Sequence, residues 1–540
     1  MKKLLKYGII ATFALSGCAD DFLTQEVKGT QIEDNYFNNE EECLKQIYGC
    51  YEALDFDSWW QIYNTYVLAD ICTDDSWMNN TGQDNSGYYD LATYQGKTDN
   101  NTILNFWRSR YQGIRRCNIV LGFVPNVTSI SEEKKNRIIA EAKFLRAYQY
   151  FELARNFGGL PLILSKEIVD DAKNVKRSTL DETYSQIEKD FLEASEYLPL
   201  RSQTIASKEL GRATKGAALG MLAKTYLYHE KYNDAEKYLD EVINSGEYNL
   251  LENFENVWSI DYNNSEESLF EIQNSADEAH NTGEMISVVT GSRDDLTNGW
   301  AWSGPTSDLE NAFDSEGDKI RKYCTIIKNG AVSVPGEDDK SVYYRDKDDD
   351  EKLTGFLIGV KDHKCGRINA KLYIPMGKRN TSYYGEGYIG LNYRLLRYAD
   401  VLLMAAEVKN QLGKDDEAQK YLNQVRSRVE LDAVTSTGNE LKKAIRKERR
   451  LELAMEGNRL YDIRRWTDDN GKKVACNLFG PNGSWVIYNT QISTDEYETN
   501  NLLEPQDEGI NFNENRDLLF PIPNIEIERS NGVLEQNPGY

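Results

Sequence analysis

Residues 218–243 read ALGMLAKTYLYHEKYNDAEKYLDEVI. Leu219, Leu222, Ala223 and Tyr226 recur at steps of three and four, which places them on one face of a helix. A short turn leads to a second run, with Ala235, Leu239 and Val242 spaced the same way. The small Ala223 and Ala235 let two helices approach closely, and the larger residues fill the space between them. These are the offsets of a tetratricopeptide unit. A related stretch at 399–429, ADVLLMAAEVKNQLGKDDEAQKYLNQVRSRV, keeps Ala406, Ala418, Leu422 and Val425 in register. The two units are not in tandem. Between them, from about Asn253 to Tyr393, runs a segment rich in Gly, Asn, Asp and Tyr, which reads as loops with short strands. The expected fold is therefore mainly α: a tetratricopeptide-like helical scaffold over about 35–250 and 393–470, carrying loop-rich portions over about 253–392 and 470–540. Binding groups are expected on those loops, because a rigid frame can hold them in place.

Upstream, EECLKQIYGCYEAL places Cys43, Ile47, Cys50 and Leu54 on one stripe. NFWRSRYQGIRRCNIVLGFV predicts a second helix. A third is EEKKNRIIAEAKFLRAYQYFELARNFGG, with Phe144, Tyr148 and Phe151 on one face and Gly158-Gly159 as its stop. Trp107 and Trp466 are assigned to the core, and Trp59-Trp60 to packing.

The N-terminus has a different logic. Lys2, Lys3 and Lys6 precede the apolar run YGIIATFAL, which is too short to span a bilayer. Leu15-Ser16-Gly17-Cys18 matches the bacterial lipobox. Residues 1–17 are expected to be a cleaved signal peptide, and residues 18–540 a single domain acylated at Cys18. Several acyl chains on one residue give stable membrane anchoring. The 540 residues include 88 acidic and 63 basic side chains, and the net charge of −25 argues against nucleic acid and anionic lipid as partners. The seven cysteines beyond Cys18 show no CxxC, so no zinc site is indicated.

Four blocks of the chain resemble the SusD/RagB family of Bacteroidetes outer-membrane lipoproteins: AEAKFLRAYQYFELARNFGGLPL (140–162), RYADVLLMAAEVKNQLG through LNQVRSR (397–428), AIRKERRLELAMEGNRLYDIRRW (444–466) and LFPIPNIEIERSNGVLEQNPGY (519–540). Asp20 and Asp21, just after the lipobox cysteine, resemble the family's signal for the outer cell surface. The resemblance implies a SusD-like fold without catalysis, exposed on the outer membrane, that binds glycans beside a SusC-like TonB-dependent transporter. RagB-type members take peptides, so a peptide-binding receptor is the alternative. A surface glycoside hydrolase is a further one, since two suitably placed carboxylates would suffice.

A sugar ring has an apolar face and a polar rim, so its binder needs a half-wet aromatic platform and fixed polar groups. Two stretches meet this need. TDDSWMNNTGQDNSGYYD (73–90) offers Trp77, Tyr88 and Tyr89 with Asp75, Asn79, Asn80 and Asp84; LTNGWAWSGPTSDL (296–309) offers Trp300 and Trp302, two apart and so on one side of an extended segment. Trp77 and Trp300 are the leading platforms. Arg446, Arg449 and Arg450 alternate with Glu448 and Glu452, and Arg464-Arg465 follow Asp462. This pattern predicts ion pairs at i,i+3 and i,i+4 spacing, with a docking face for the transporter as the alternative. No cofactor is expected. GEGYIG (385–390) satisfies GxGxxG but lacks a strand before it. Asp346, Asp348 and Asp350 begin like a calcium loop, yet Glu351 and Leu357 replace its required Gly and Glu, leaving a structural calcium ion as a possibility outside that motif.

Overall fold

The computed structural model describes residues 37–55, 68–78, 86–166, 172–277, 285–291, 299–331, 333–338, 343–346, 349–356, 365–378, 389–491 and 508–540. Helices α1 (Glu40–Asp55), α2 (Ser86–Ala92), α3 (Asn101–Phe123), α4 (Glu132–Phe157), α5 (Leu180–Ser195), α6 (Arg201–Ala206), α7 (Lys215–Tyr228) and α8 (Tyr232–Asn244) form the first half. The stripe Cys43, Ile47, Cys50 and Leu54 on α1 is buried, as its spacing predicts. Helix α4 starts at Ser131, whose side chain accepts from the Lys134 N–H, and stops at Gly158, whose φ of 78° suits a residue without Cβ. Thr179 and Glu182 close a reciprocal capping box on α5. Phe144, Phe151 and Phe157 are fully buried, each contributing about 1.5–3 kcal/mol by leaving water.

The middle segment holds α9 (Ile286–Thr290), α10 (Ser307–Glu316) and α11 (Lys319–Thr325), more helix than its composition suggested. The second half adds α12 (Tyr398–Gln411), α13 (Asp415–Arg428), α14 (Gly438–Glu452), α15 (Arg459–Arg465), α16 (Val474–Leu478), α17 (Ser484–Gln491) and α18 (Asn524–Arg529). Hairpins α7–α8 and α12–α13 form where the alanine offsets place them, and they pack on one another. Lys224 reaches Asp400 across the contact at 3.0 Å, and Lys409 reaches Asp240 at 2.9 Å.

Strand pairing explains how distant hairpins come together. Among the described residues, every sheet has two strands. β2 (Ser268–Ile272) runs antiparallel to β8 (Tyr393–Arg397), so Ile272 lies opposite Tyr393 and the whole intervening segment leaves the scaffold and returns at one point. β4 (Ile326–Lys328) pairs with β7 (Arg367–Asn369), and β5 (Tyr343–Asp346) with β6 (Asp349–Phe356). β1 (Ser76–Trp77) pairs with β3 (Gly304–Pro305).

The charges of 444–466 do form ion pairs, but mostly not along their own helix. Helix α14 packs on α10, α12 and α13, which turns its charged stripe inward. Glu448 meets Arg321 at 2.5 Å and Arg426 at 2.7 Å. Glu452 meets Arg397 at 2.6 Å, and also Arg428. Arg449 lies 2.8 Å from Asp462 and also pairs with Asp400. Only Arg465 with Asp462, at 2.9 Å, keeps the expected i,i+3 spacing within this run, and Arg465 also holds Glu407. Buried charge must be paired to be tolerated, and here partners come from elements far apart in sequence.

Candidate ligand-binding site

The two aromatic stretches singled out in the sequence meet in space. Trp77 lies opposite Gly304 and Ser76 opposite Pro305. The Ser76 and Ser303 hydroxyls are 2.6 Å apart. The Thr306 N–H donates to the Asp75 carbonyl at 3.0 Å, and its hydroxyl donates to the Asp74 carbonyl at 2.8 Å. Thr306 also caps α10 by accepting from the Leu309 N–H. One threonine thus ties the first stretch to the helix that follows the second.

The segment carrying Trp300 and Trp302 is not extended. Ala301 has a φ of 56°, and the backbone hooks over α9: the N–H groups of Trp300, Ala301 and Trp302 donate to the carbonyls of Val288, Gly291 and Val289. Gly299 permits this approach, since a Cβ there would stand 2.3 Å from the Gly291 carbonyl carbon. The two indoles still end side by side, with centroids 5.1 Å apart. Trp302 in turn lies 5.1 Å from Tyr88. Tyr88, Trp302 and Trp300 therefore form a ring cluster assembled from both stretches. Tyr88 and Trp302 are buried, 3% and 4% exposed, so they support the cluster and present no face to water. Trp300 and Tyr89 are half-buried.

Trp77 corrects the sequence reading. It is wholly buried, packed 4.7 Å from Trp485, which leans on Phe479 at 5.6 Å. Tyr94 and Phe512 complete this core. Trp77 sits inside because β3 pairs along β1 and Trp485 of α17 packs against its ring. Trp485 went unnoticed in the sequence, although its setting, GPNGSWVIYN, has the same Gly- and Asn-rich character as the stretches that were chosen. Asp75 is likewise buried and is no ligand contact: it accepts from Arg450 at 2.7 Å. Arg450 also binds Asp308 at 2.6 Å, and Arg459 clamps Asp74 at 2.8 and 2.7 Å. Burial alone would raise the Asp74 carboxyl, but Arg450 and Arg459 outweigh it and hold the group ionised. Asp74 and Asp75 thus brace the site by holding Arg450 and Arg459 in place. Asn79, Asn80 and Asp84 lie outside the described residues, as do Cys18, Trp59 and Trp60.

Trp107 and Trp466 are buried in the core, as expected. The segment of Asp346 and Asp350 forms the β5–β6 pair, a geometry that no twelve-residue calcium loop adopts; Asp348 is outside the described residues. Most of GEGYIG is outside them too. Among the described residues no helix is long and apolar enough to cross a membrane.

A sequence profile of the SusD family matches residues 255–540, over half of the chain. The chain belongs to the SusD family. A second profile, described as starch-binding associating with outer membrane, matches residues 21–227. SusD-like protein P2 of Formosa agariphila is 28% identical, with both chains covered in full. A SusD-like protein of Bacteroides ovatus is 26% identical over 89% of this chain and 85% of its own. Among solved structures, a laminarin-binding SusD-like protein superposes with a TM-score of 0.72 at 25% identity, covering 93% of this chain and all of its own. A SusD homologue of Bacteroides thetaiotaomicron superposes with a TM-score of 0.74 at 25% identity, covering 96% and 100%. The mainly helical, SusD-like fold read from the sequence is thus the fold of this chain.

Proposed function

We propose that this protein binds glycans without altering them, at a surface centred on Trp300. The observation that carries this is the arrangement of three rings: a half-buried indole backed by the buried Trp302 and Tyr88, at the junction of two stretches rich in polar residues. A ring packed against a buried indole that is itself backed by Tyr88 is partly ordered before the ligand arrives, so less ordering cost opposes stacking. Tyr89, next to Tyr88 in the chain, is a second half-buried ring in the first stretch. The laminarin-binding relative supports a glycan as the ligand class. Delivery to a SusC-like TonB-dependent transporter is the physiological role we assign, with the protein tethered to the outer membrane and facing outward.

In native gels laced with laminarin or starch, the full-length protein is expected to be retarded by at least one polysaccharide. Trp300→Ala should weaken retention at least about tenfold, or ~1.4 kcal/mol, with little change in thermal midpoint. Unchanged retention in that variant would remove Trp300 from the site. Release of reducing sugar over time would favour a hydrolase, and retention of peptides alone would favour a RagB-type receptor. The anchor has its own check: Cys18→Ala should move the protein from the membrane fraction to the soluble one, and persistence in the membrane fraction would rule out acylation at that residue.

A further inference from the structure

A cleft of about 170 Å³ is lined in part by Ala370 and Lys371 and shares no lining residue with the ring cluster. Each water needs about 10–15 Å³ of such space, so the cleft has room for several waters or for one small ring such as a monosaccharide. Its walls are Trp258, Tyr262 and Tyr373, with the flat faces of Pro335 and Pro375. Tyr262 is 37% exposed, a half-wet ring at the opening. The polar rim carries both signs of hydrogen-bonding capacity: Asp261 accepts, Lys378 donates, and the two form an exposed ion pair across the mouth.

The walls are held rigidly. Trp258 donates its indole N–H to Glu456 at 3.2 Å, and Glu456 is locked in turn by Lys371 and Arg397. The Tyr373 hydroxyl donates to Glu337 at 2.5 Å. The Gly336 N–H donates to Glu255 at 2.9 Å. Among the lining residues Glu255 and Asp261 are matched by Lys371 and Lys378, so the lining itself carries no net charge and suits a neutral ligand. Flat apolar walls with a donor and an acceptor at one rim match the C–H faces and hydroxyls of a neutral sugar.

We infer that this cleft is a second, independent site for one sugar ring, the free end or branch of a glycan held elsewhere on the surface. The inference rests on the glycan reading above for its biological sense, but its test does not. Saturation-transfer difference NMR on the full-length protein would use free glucose, galactose, mannose, xylose and N-acetylglucosamine as probes. At least one sugar should give a signal that falls at least fivefold in Tyr262→Ala and in Asp261→Ala and persists in Trp300→Ala. Both cleft residues are exposed enough that their variants should keep the parent thermal midpoint. Three outcomes would overturn the site: no signal from any sugar, a signal lost in Trp300→Ala yet untouched by the cleft variants, or a signal from a lysyl dipeptide in place of every sugar. Polysaccharide retardation without a cleft signal removes the cleft alone. A cleft signal without retardation removes the Trp300 site and leaves the cleft standing.

Discussion

Replacing Arg397 by alanine is expected to lower the unfolding free energy by about 3–5 kcal/mol. Arg397 is 2% exposed and sits at the end of β8, where the looped-out segment rejoins the scaffold. Its guanidinium meets Glu267 at 2.9 Å, Glu452 at 2.6 Å and Glu456 at 2.8 Å. It also donates to the Glu452 carbonyl at 2.7 Å. Without it, the carboxylates of Glu267, Glu452 and Glu456 remain buried with too little opposing charge. Such a pair adds little over an apolar replacement of both partners, yet breaking one side is costly. The same cluster sets the acid response. Burial alone would raise the Glu452 carboxyl, but Arg428, Arg397 and Arg321 outweigh burial and hold it well below the usual range; Arg397 and Lys371 do the same for Glu456. Depressed carboxyls contribute stability that is complete above the unfolded value of about 4.3 and lost as pH falls through the lower folded values. The parent protein should therefore lose stability below about pH 4, and Arg397→Ala should lose less over that interval. Urea unfolding at pH 7 and pH 3 checks both statements. A change under about 1 kcal/mol at pH 7 would mean that the cluster has little stabilising role.

Trp77→Ala is expected to cost about 3–5 kcal/mol, the penalty for emptying a buried indole site. The ring is fully enclosed between β3 and the Trp485–Phe479 pair, so its loss opens a cavity under the junction that brings the two aromatic stretches together. Ligand retention should fall as well, through loss of that junction and not through loss of a contact. Trp300→Ala, measured beside it, should keep its thermal midpoint and lose only retention. Equal midpoints for the two variants would contradict the contrast between core ring and platform ring.

The periodic parts of the chain were readable. Helices α1, α3 and α4 begin and end within a few residues of where apolar spacing, caps and Gly158 place them, and both alanine-lined hairpins form. The site was half readable. Trp-, Asn- and Gly-rich stretches did mark the two segments that meet at β1 and β3. Composition could not say that Trp77 would be roofed by Trp485, or that Asp75 would be spent on Arg450. Alternating charge on α14 announced ion pairs, but the helical rule named the wrong partners because it knows only neighbours in sequence.

Helix positions, the paired hairpins and the choice of loops that carry rings belong to the sequence by itself, since periodicity and turn chemistry act over a few residues. Which ring is wet, which carboxylate is free and which arginine answers each glutamate were decided only by tertiary structure. Those properties depend on what closes over a residue, and here the partners meet from more than a hundred positions apart, at the β1–β3 and β2–β8 junctions.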